Sequence, residues 1–222
     1  MQIDHRPVFS SENDSDEAGC QFRRSAYVVA LTYPDDPEAM TLFNFLKKSA
    51  NDDLAHTLYV EIVNQARQPA FYTDLGVPDT PDGRFDMVLL HAYLLFHRMK
   101  DDHDQTGELS QAVFDLMFAD MDQNLREMGL GDIGVSHRIK GMIKAFYGRV
   151  SVYDEGVANA DDNNLKDALR RNLYRKSDPL DAQVSAVAGY IHREIENLSA
   201  QDNSDIMKGL VQFGPAPTLQ ET

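Results

Sequence analysis

The sequence predicts an all-α fold: a single compact domain of about six helices around a buried central helix. Three observations carry that expectation. Apolar residues recur at helical steps of three and four from residue 52 to about residue 200. Pairs that start helices, Thr80-Pro81 and Asp178-Pro179, punctuate the stretch. The segment from 81 to about 103 is apolar nearly all round in its middle, as a helix covered on several sides would be. At 222 residues and 42% hydrophobic content, one core can form without a disulfide or a metal.

Residues 1–39 read as a disordered or mis-started acidic leader, with eight acids against three arginines and no sustained helical period. Tyr27–Tyr33 is a β-type run inside it, and Met40 is a plausible start for a helical domain spanning 40–211. Asp52 or Asp53 is expected to cap a first helix with Leu54, Leu58, Ile62 and Ala66 on one face. Pro69 ends that region, and a loop follows over 71–79.

Thr80 as N-cap, Pro81 at the first helical position and Asp82 in the first turn open the central helix. It carries Phe85, Val88, Leu89, Ala92, Leu95, Phe96 and Met99. A third helix is expected after Thr106-Gly107, with Leu109, Val113, Met117, Met121 and Leu125 on one stripe and Gly129 as a left-handed C-terminal cap. Val135, Ile139, Met142, Ile143, Phe146, Tyr147 and Val150 give a fourth helix an amphipathic face. The polar stretch 151–162 either ends this helix or continues it with a bend. A short helix over 165–174 follows, then a long one from Asp178-Pro179 with Val184, Val187, Ile191, Ile195 and Leu198 inward. A turn at 206–211 closes the domain, and 212–222 reads as a flexible tail.

The composition excludes several classes. A net charge of −15 argues against bulk attraction to nucleic acid, DNA in particular, or to anionic lipid. No apolar run approaches the ~20 residues of a membrane-spanning helix. The single cysteine, Cys20, allows no intrachain disulfide, which favours a reduced compartment such as the cytoplasm or an organelle matrix.

Chemical motifs are few. Gly129, Gly131 and Gly134 match the spacing of a dinucleotide fingerprint, but that motif needs a preceding strand, and here it follows an amphipathic helix. His97, Asp101 and His103 mix imidazole and carboxylate, which would suit a metal-dependent enzyme if a further ligand converged on them. Without one they are a solvated helix end. His91, within the buried helix, reads as a core histidine that is hydrogen-bonded. No nucleophile motif is present, and no cofactor is expected.

Charge segregation is the feature that stands out. Between Ser136 and Tyr153 lie Arg138, Lys140, Lys144 and Arg149 with no acid. Lys166, Arg170, Arg171, Arg175 and Lys176 follow against only Asp167 and Asp178. Arg138, Lys140, Lys144 and Arg149, interleaved with Phe146 and Tyr147, form a candidate partner-binding face for RNA, a membrane surface or a protein. The alternative is that these cations pair with acidic neighbours in their own fold.

Longer stretches carry a resemblance. Tyr59–Pro69, Phe71-Tyr72, Gly76–Thr80, Asp82–Met87 and Leu90–Arg98 resemble the ubiquinol–cytochrome c chaperone family. So do Met117-Phe118, Asp120–Asp122, Asn124–Gly129, Arg138–Lys140 and Ala145–Arg149. The resemblance implies an α-helical assembly factor, not an enzyme, with newly made cytochrome b as client and ubiquinol–cytochrome c reductase as the complex built. Mitochondrial members act near the ribosome exit and the inner membrane. This chain is expected to be a bacterial homologue, peripheral to the inner membrane and not spanning it.

Overall fold

The computed structural model describes residues 50–219. The acidic leader, Tyr27–Tyr33, Cys20 and the start at Met40 lie outside the described residues. Within them the elements are α1 (Ala50–Ala66), α2 (Ala70–Thr73), α3 (Pro81–Met99), a 3-10 turn (Lys100–Asp102), α4 (His103–Glu127), α5 (Asp132–Ala158), α6 (Asn163–Asn172), α7 (Asp181–Ser199) and α8 (Asn203–Ile206). Six of these are longer than one turn, and no strand occurs among the described residues. The all-α expectation holds.

α3 is the hub. Every residue from Asp86 to Phe96 is buried, because α1 and α4 pack on one side and α7 on another. α5 closes the remaining face through ring contacts, Tyr93 on Tyr153 at 5.4 Å and Phe96 on Phe146 at 5.9 Å. Each buried apolar side chain there contributes roughly 1.5–3 kcal/mol. The start of α3 follows its sequence: the Thr80 hydroxyl accepts from the Gly83 amide at 3.1 Å, with Pro81 at the first position.

Two boundaries differ from expectation and one open alternative is decided, each for a local reason. Thr106-Gly107 does not separate two helices but lies inside α4. The Thr106 hydroxyl donates to Met99 O at 2.6 Å, tying α4 back to the end of α3, and the His103 ring occupies the space beside Gly107. The stretch 151–158 continues α5, because Tyr153 and Gly156 are buried against neighbouring helices. α7 begins after Asp178-Pro179, where the Leu180 amide donates to the Gln183 side chain at 2.9 Å.

The far end of α7 is held by Arg98, which donates from Nε to Leu198 O at 3.0 Å and from Nη2 to Gln201 O at 3.1 Å. A cation on orphan carbonyls is the expected C-terminal solution. Residues 212–219 then run back along the bundle. Phe213 meets the His91 ring edge-on at 5.5 Å, Ala216 and Leu219 pack on the core, and the Gly214 amide donates to the fully buried Glu194 at 2.7 Å.

Candidate partner-binding cleft and basic face

Four helices leave a cleft of about 830 Å³ between them. Its walls are single stripes at helical spacing: Tyr59 and Val63 of α1, with Arg67 just after it; Asp82, Phe85 and Val88 of α3; Met121, Asn124 and Leu125 of α4, with Met128 at its C-cap; Arg138, Gly141, Met142, Ala145 and Arg149 of α5. Arg175 and Lys176, just after α6, complete the rim. On α5 the small residues Gly141 and Ala145 sit where a larger side chain would fill the space.

One end of the cleft is an ion cluster. Asp82 and Asp86 lie four apart on α3, so both face α5 and the 175–176 segment. Asp86 accepts from Arg149 Nη2 at 2.7 Å and Arg175 Nη2 at 3.1 Å. Asp82 accepts from Arg138 Nη2 at 3.1 Å and Lys176 Nζ at 2.6 Å. Four cations therefore surround two carboxylates. Burial pushes the Asp86 carboxyl up to about 6 despite the two guanidinium groups beside it. Asp82, half open to water and bonded to Lys176, is held below its usual range. The buried Arg149 Nε has no hydrogen-bond partner among the described residues.

The proposed partner face is thus divided by the structure. Lys140 and Lys144 are exposed on the outer side of α5, and Arg138 is exposed but bonded to Asp82. Phe146 is 1% exposed, in an aromatic cluster with Phe96, Phe114 and Phe118. Tyr147 is half-buried against Phe114 and Phe146. Arg149 is 6% exposed. The reason is period: Phe146 and Arg149 share the inward side of α5 with Ile139, Ile143 and Val150. They belong to the core and the ion cluster, and cannot contribute to an outer contact face.

Sequence reading passed over two features. Asp82 and Asp86 were legible only as a faint signal, an acid inside the otherwise apolar run of α3. The other is the α4–α5 turn, which exposes Met128 (59%), Leu130 (37%) and Ile133 (90%). Gly129 at φ 88° makes this turn, as its place after an amphipathic helix predicts. Arg126 pins it by bonding Asp122 and Asp132.

The His97 group does not assemble as a metal site would require. His97 Nδ1 lies 2.9 Å from Asp154 of α5, and the Tyr93 hydroxyl donates to the same carboxylate at 3.2 Å. Asp101 and His103 are exposed. Among the described residues no three His, Cys, Asp or Glu side chains are placed to hold a metal ion. His91 is fully buried and hydrogen-bonded on both ring nitrogens, to Met87 O at 2.8 Å and to the Tyr190 hydroxyl at 2.9 Å. Among the described residues no helix is long and apolar enough to cross a membrane.

Known proteins share this architecture. The crystal structure of the Cbp3 homolog from Brucella abortus superposes with a TM-score of 0.68 at 33% identity, covering 80% of this chain and 97% of that one. Ubiquinol-cytochrome-c reductase complex assembly factor 1 of Xenopus laevis is 25% identical over 150 residues, 68% of this chain and 74% of its own length. Protein CBP3, mitochondrial, of Saccharomyces cerevisiae is 30% identical over 149 residues, 65% of this chain and 44% of its own length. The profile of the ubiquinol-cytochrome C chaperone family matches residues 73–213, which run from the end of α2 through every wall of the cleft contributed by α3, α4 and α5. On that extent of match, the chain belongs to the ubiquinol-cytochrome C chaperone family.

Proposed function

We propose that this chain is a non-enzymatic assembly factor for the ubiquinol–cytochrome c reductase complex, and that it holds cytochrome b as its client by protein–protein contact. Family membership and the names of its relatives, assembly factors of that complex, support the reading. The observation that carries it is the α4–α5 turn, which groups Met128, Leu130 and Ile133, three of the six large apolar side chains exposed among the described residues. Exposed apolar residues grouped at one tip mark a contact site for an apolar partner. Lys140 and Lys144 lie on α5 just beyond this tip and would steer a partner or an anionic surface toward it. In this reading the protein works at the cytoplasmic side of the inner membrane, peripheral to the bilayer, with the ribosome as a further dock.

The test is capture of the tagged full chain from its native cells in mild detergent, read by mass spectrometry. Recovery of cytochrome b, reduced by Ile133→Asp and by the paired charge reversal Lys140→Glu/Lys144→Glu, is the expected result. Wild-type capture without cytochrome b or any reductase subunit would overturn the reading.

A further inference from the structure

We propose that the cleft between α1, α3, α4 and α5 binds one molecule of an anionic lipid-like amphiphile, with its acidic head at the Asp82–Asp86 cluster and its apolar body along Val63, Val88, Met121 and Met142. The site adjoins the exposed turn assigned above to the client and shares Met128 with it. Three features point to it.

The first is charge. Arg138, Arg149, Arg175 and Lys176 pair with Asp82 and Asp86, so this cluster holds two more positive than negative charges in a chain of net −15. Along the rest of the lining Asp120 and Glu127 are matched in number by Arg67 and Arg84. A phosphate or carboxylate head would supply the missing acceptor charge, and guanidinium groups suit planar, multidentate anion contact.

The second is access. Arg138, Arg175 and Lys176 keep side chains 58%, 39% and 64% exposed at the cleft rim, open to an anion in a way that the buried Arg149 is not.

The third is room that packing does not ask for. Gly141 lies in the middle of α5, where glycine weakens a helix. A Cβ there would meet nothing within 4 Å. The space it leaves is continuous with apolar Val63, Phe85, Val88, Met121, Leu125 and Met142. Tyr59, Arg67, Asp120, Asn124, Glu127 and His137 border this apolar strip, which gives a lipid chain one apolar track inside a polar cleft. An amphiphile matches both ends, whereas a free anion would leave the apolar walls uncovered.

The experiment uses the delipidated full chain and three probes: monomeric oleoyl lysophosphatidate, oleoyl lysophosphatidylcholine and inorganic phosphate. Stoichiometry is read by native mass spectrometry and affinity by titration calorimetry. The expected result is one lysophosphatidate per chain, bound about tenfold or more tighter than the zwitterionic lipid and far tighter than phosphate. Gly141→Leu, which fills the cleft, and Lys176→Gln, which trims the head site, should each weaken lysophosphatidate about tenfold. Unliganded Gly141→Leu should melt no lower than the wild type, which separates a blocked site from a damaged fold. Equal binding of the two lipids, phosphate binding as tightly as lysophosphatidate, or wild-type affinity in Gly141→Leu would each overturn the proposal. Loss of cytochrome b capture in Gly141→Leu with no lipid bound to the wild type would assign the cleft to a polypeptide instead, and would leave the assembly-factor reading standing.

Discussion

Arg149 reaches across from α5 to donate to Asp86 of α3 at 2.7 Å, with side chains only 7% and 3% exposed. The pair joins the central helix to the wall of the cleft. Breaking one side of such a pair leaves a charge in the interior, so Arg149→Met is expected to cost about 3–5 kcal/mol in urea unfolding. Arg175, 3.1 Å from the same carboxylate, favours the lower end. Replacing both partners, Asp86→Leu with Arg149→Met, should recover most of the loss. A single variant within 0.5 kcal/mol of the wild type would mean that the pair is solvated.

Asp86 and His91 give stability opposite slopes in nearly the same pH window. Burial raises Asp86 from 3.8 to about 6. Between those values the folded state binds more protons than the unfolded, so stability falls as pH rises and is level above about 6. Burial lowers His91 from 6.5 to about 4. Its contribution is complete above 6.5 and is lost as pH falls toward 4. Each effect is on the order of 3 kcal/mol at 1.36 kcal/mol per unit, and the two largely offset. Relative to the wild type, Asp86→Asn should therefore lose stability on acidification from pH 6.5 to 4, and His91→Gln should gain. Parallel curves for all three proteins would refute the assignment.

His91 also sits in a chain of bonds with one consistent polarity. Gln65 Nε2 donates to the Tyr190 oxygen at 2.9 Å, the Tyr190 hydroxyl donates to His91 Nε2, and Nδ1–H donates to Met87 O. Tyr190→Phe removes the middle link and leaves a fully buried ring nitrogen unmatched. The expected loss is about 1–3 kcal/mol, read as a lower urea midpoint at unchanged slope.

The same substitution at two helix glycines should have opposite signs. A Cβ on Gly156 would lie 2.8 Å from the Leu165 Cα, where α5 crosses α6. Gly156→Ala is therefore expected to destabilise by about 1–3 kcal/mol. At Gly141 the Cβ meets nothing, and Gly141→Ala should stabilise by about 0.5–1 kcal/mol. Thermal melts of the two variants decide it.

Ile133 is 90% exposed, so Ile133→Asp should change stability by no more than about 0.5 kcal/mol. Weakened capture of cytochrome b at that unchanged stability is the expected signature of a contact residue. A variant that captures normally would move the client elsewhere.

Much of this fold could be read from periodicity alone. The stripes of α3, α4, α5 and α7 and the cap at Thr80 are local, and local chemistry dictates them. Thr106-Gly107 misled because a glycine after a threonine looks like a break, whereas a hydroxyl bond back to Met99 and a stacked His103 ring hold it helical. The site was less legible. The excess of cations over 136–153 is visible in the sequence, but the acceptors of Arg138 and Arg149 are 56 and 63 residues away on α3, and nothing local marks that pairing. Phe146 and Arg149 were placed on a surface by composition when their helical phase turns them inward.

The closing segment bears on the order in which the chain can finish folding during synthesis. Glu194 is fully buried and takes its contacts from Arg193, Asn197 and the Gly214 amide. Gly214 O in turn accepts from Gln65 of α1 at 2.7 Å. A residue twenty positions downstream thus completes the solvation of an interior anion and latches the first described helix to the last long one. Until that glycine is made, the buried carboxylate lacks one of its donors, and of these contacts only the Gln65–Tyr190 bond ties the two helices.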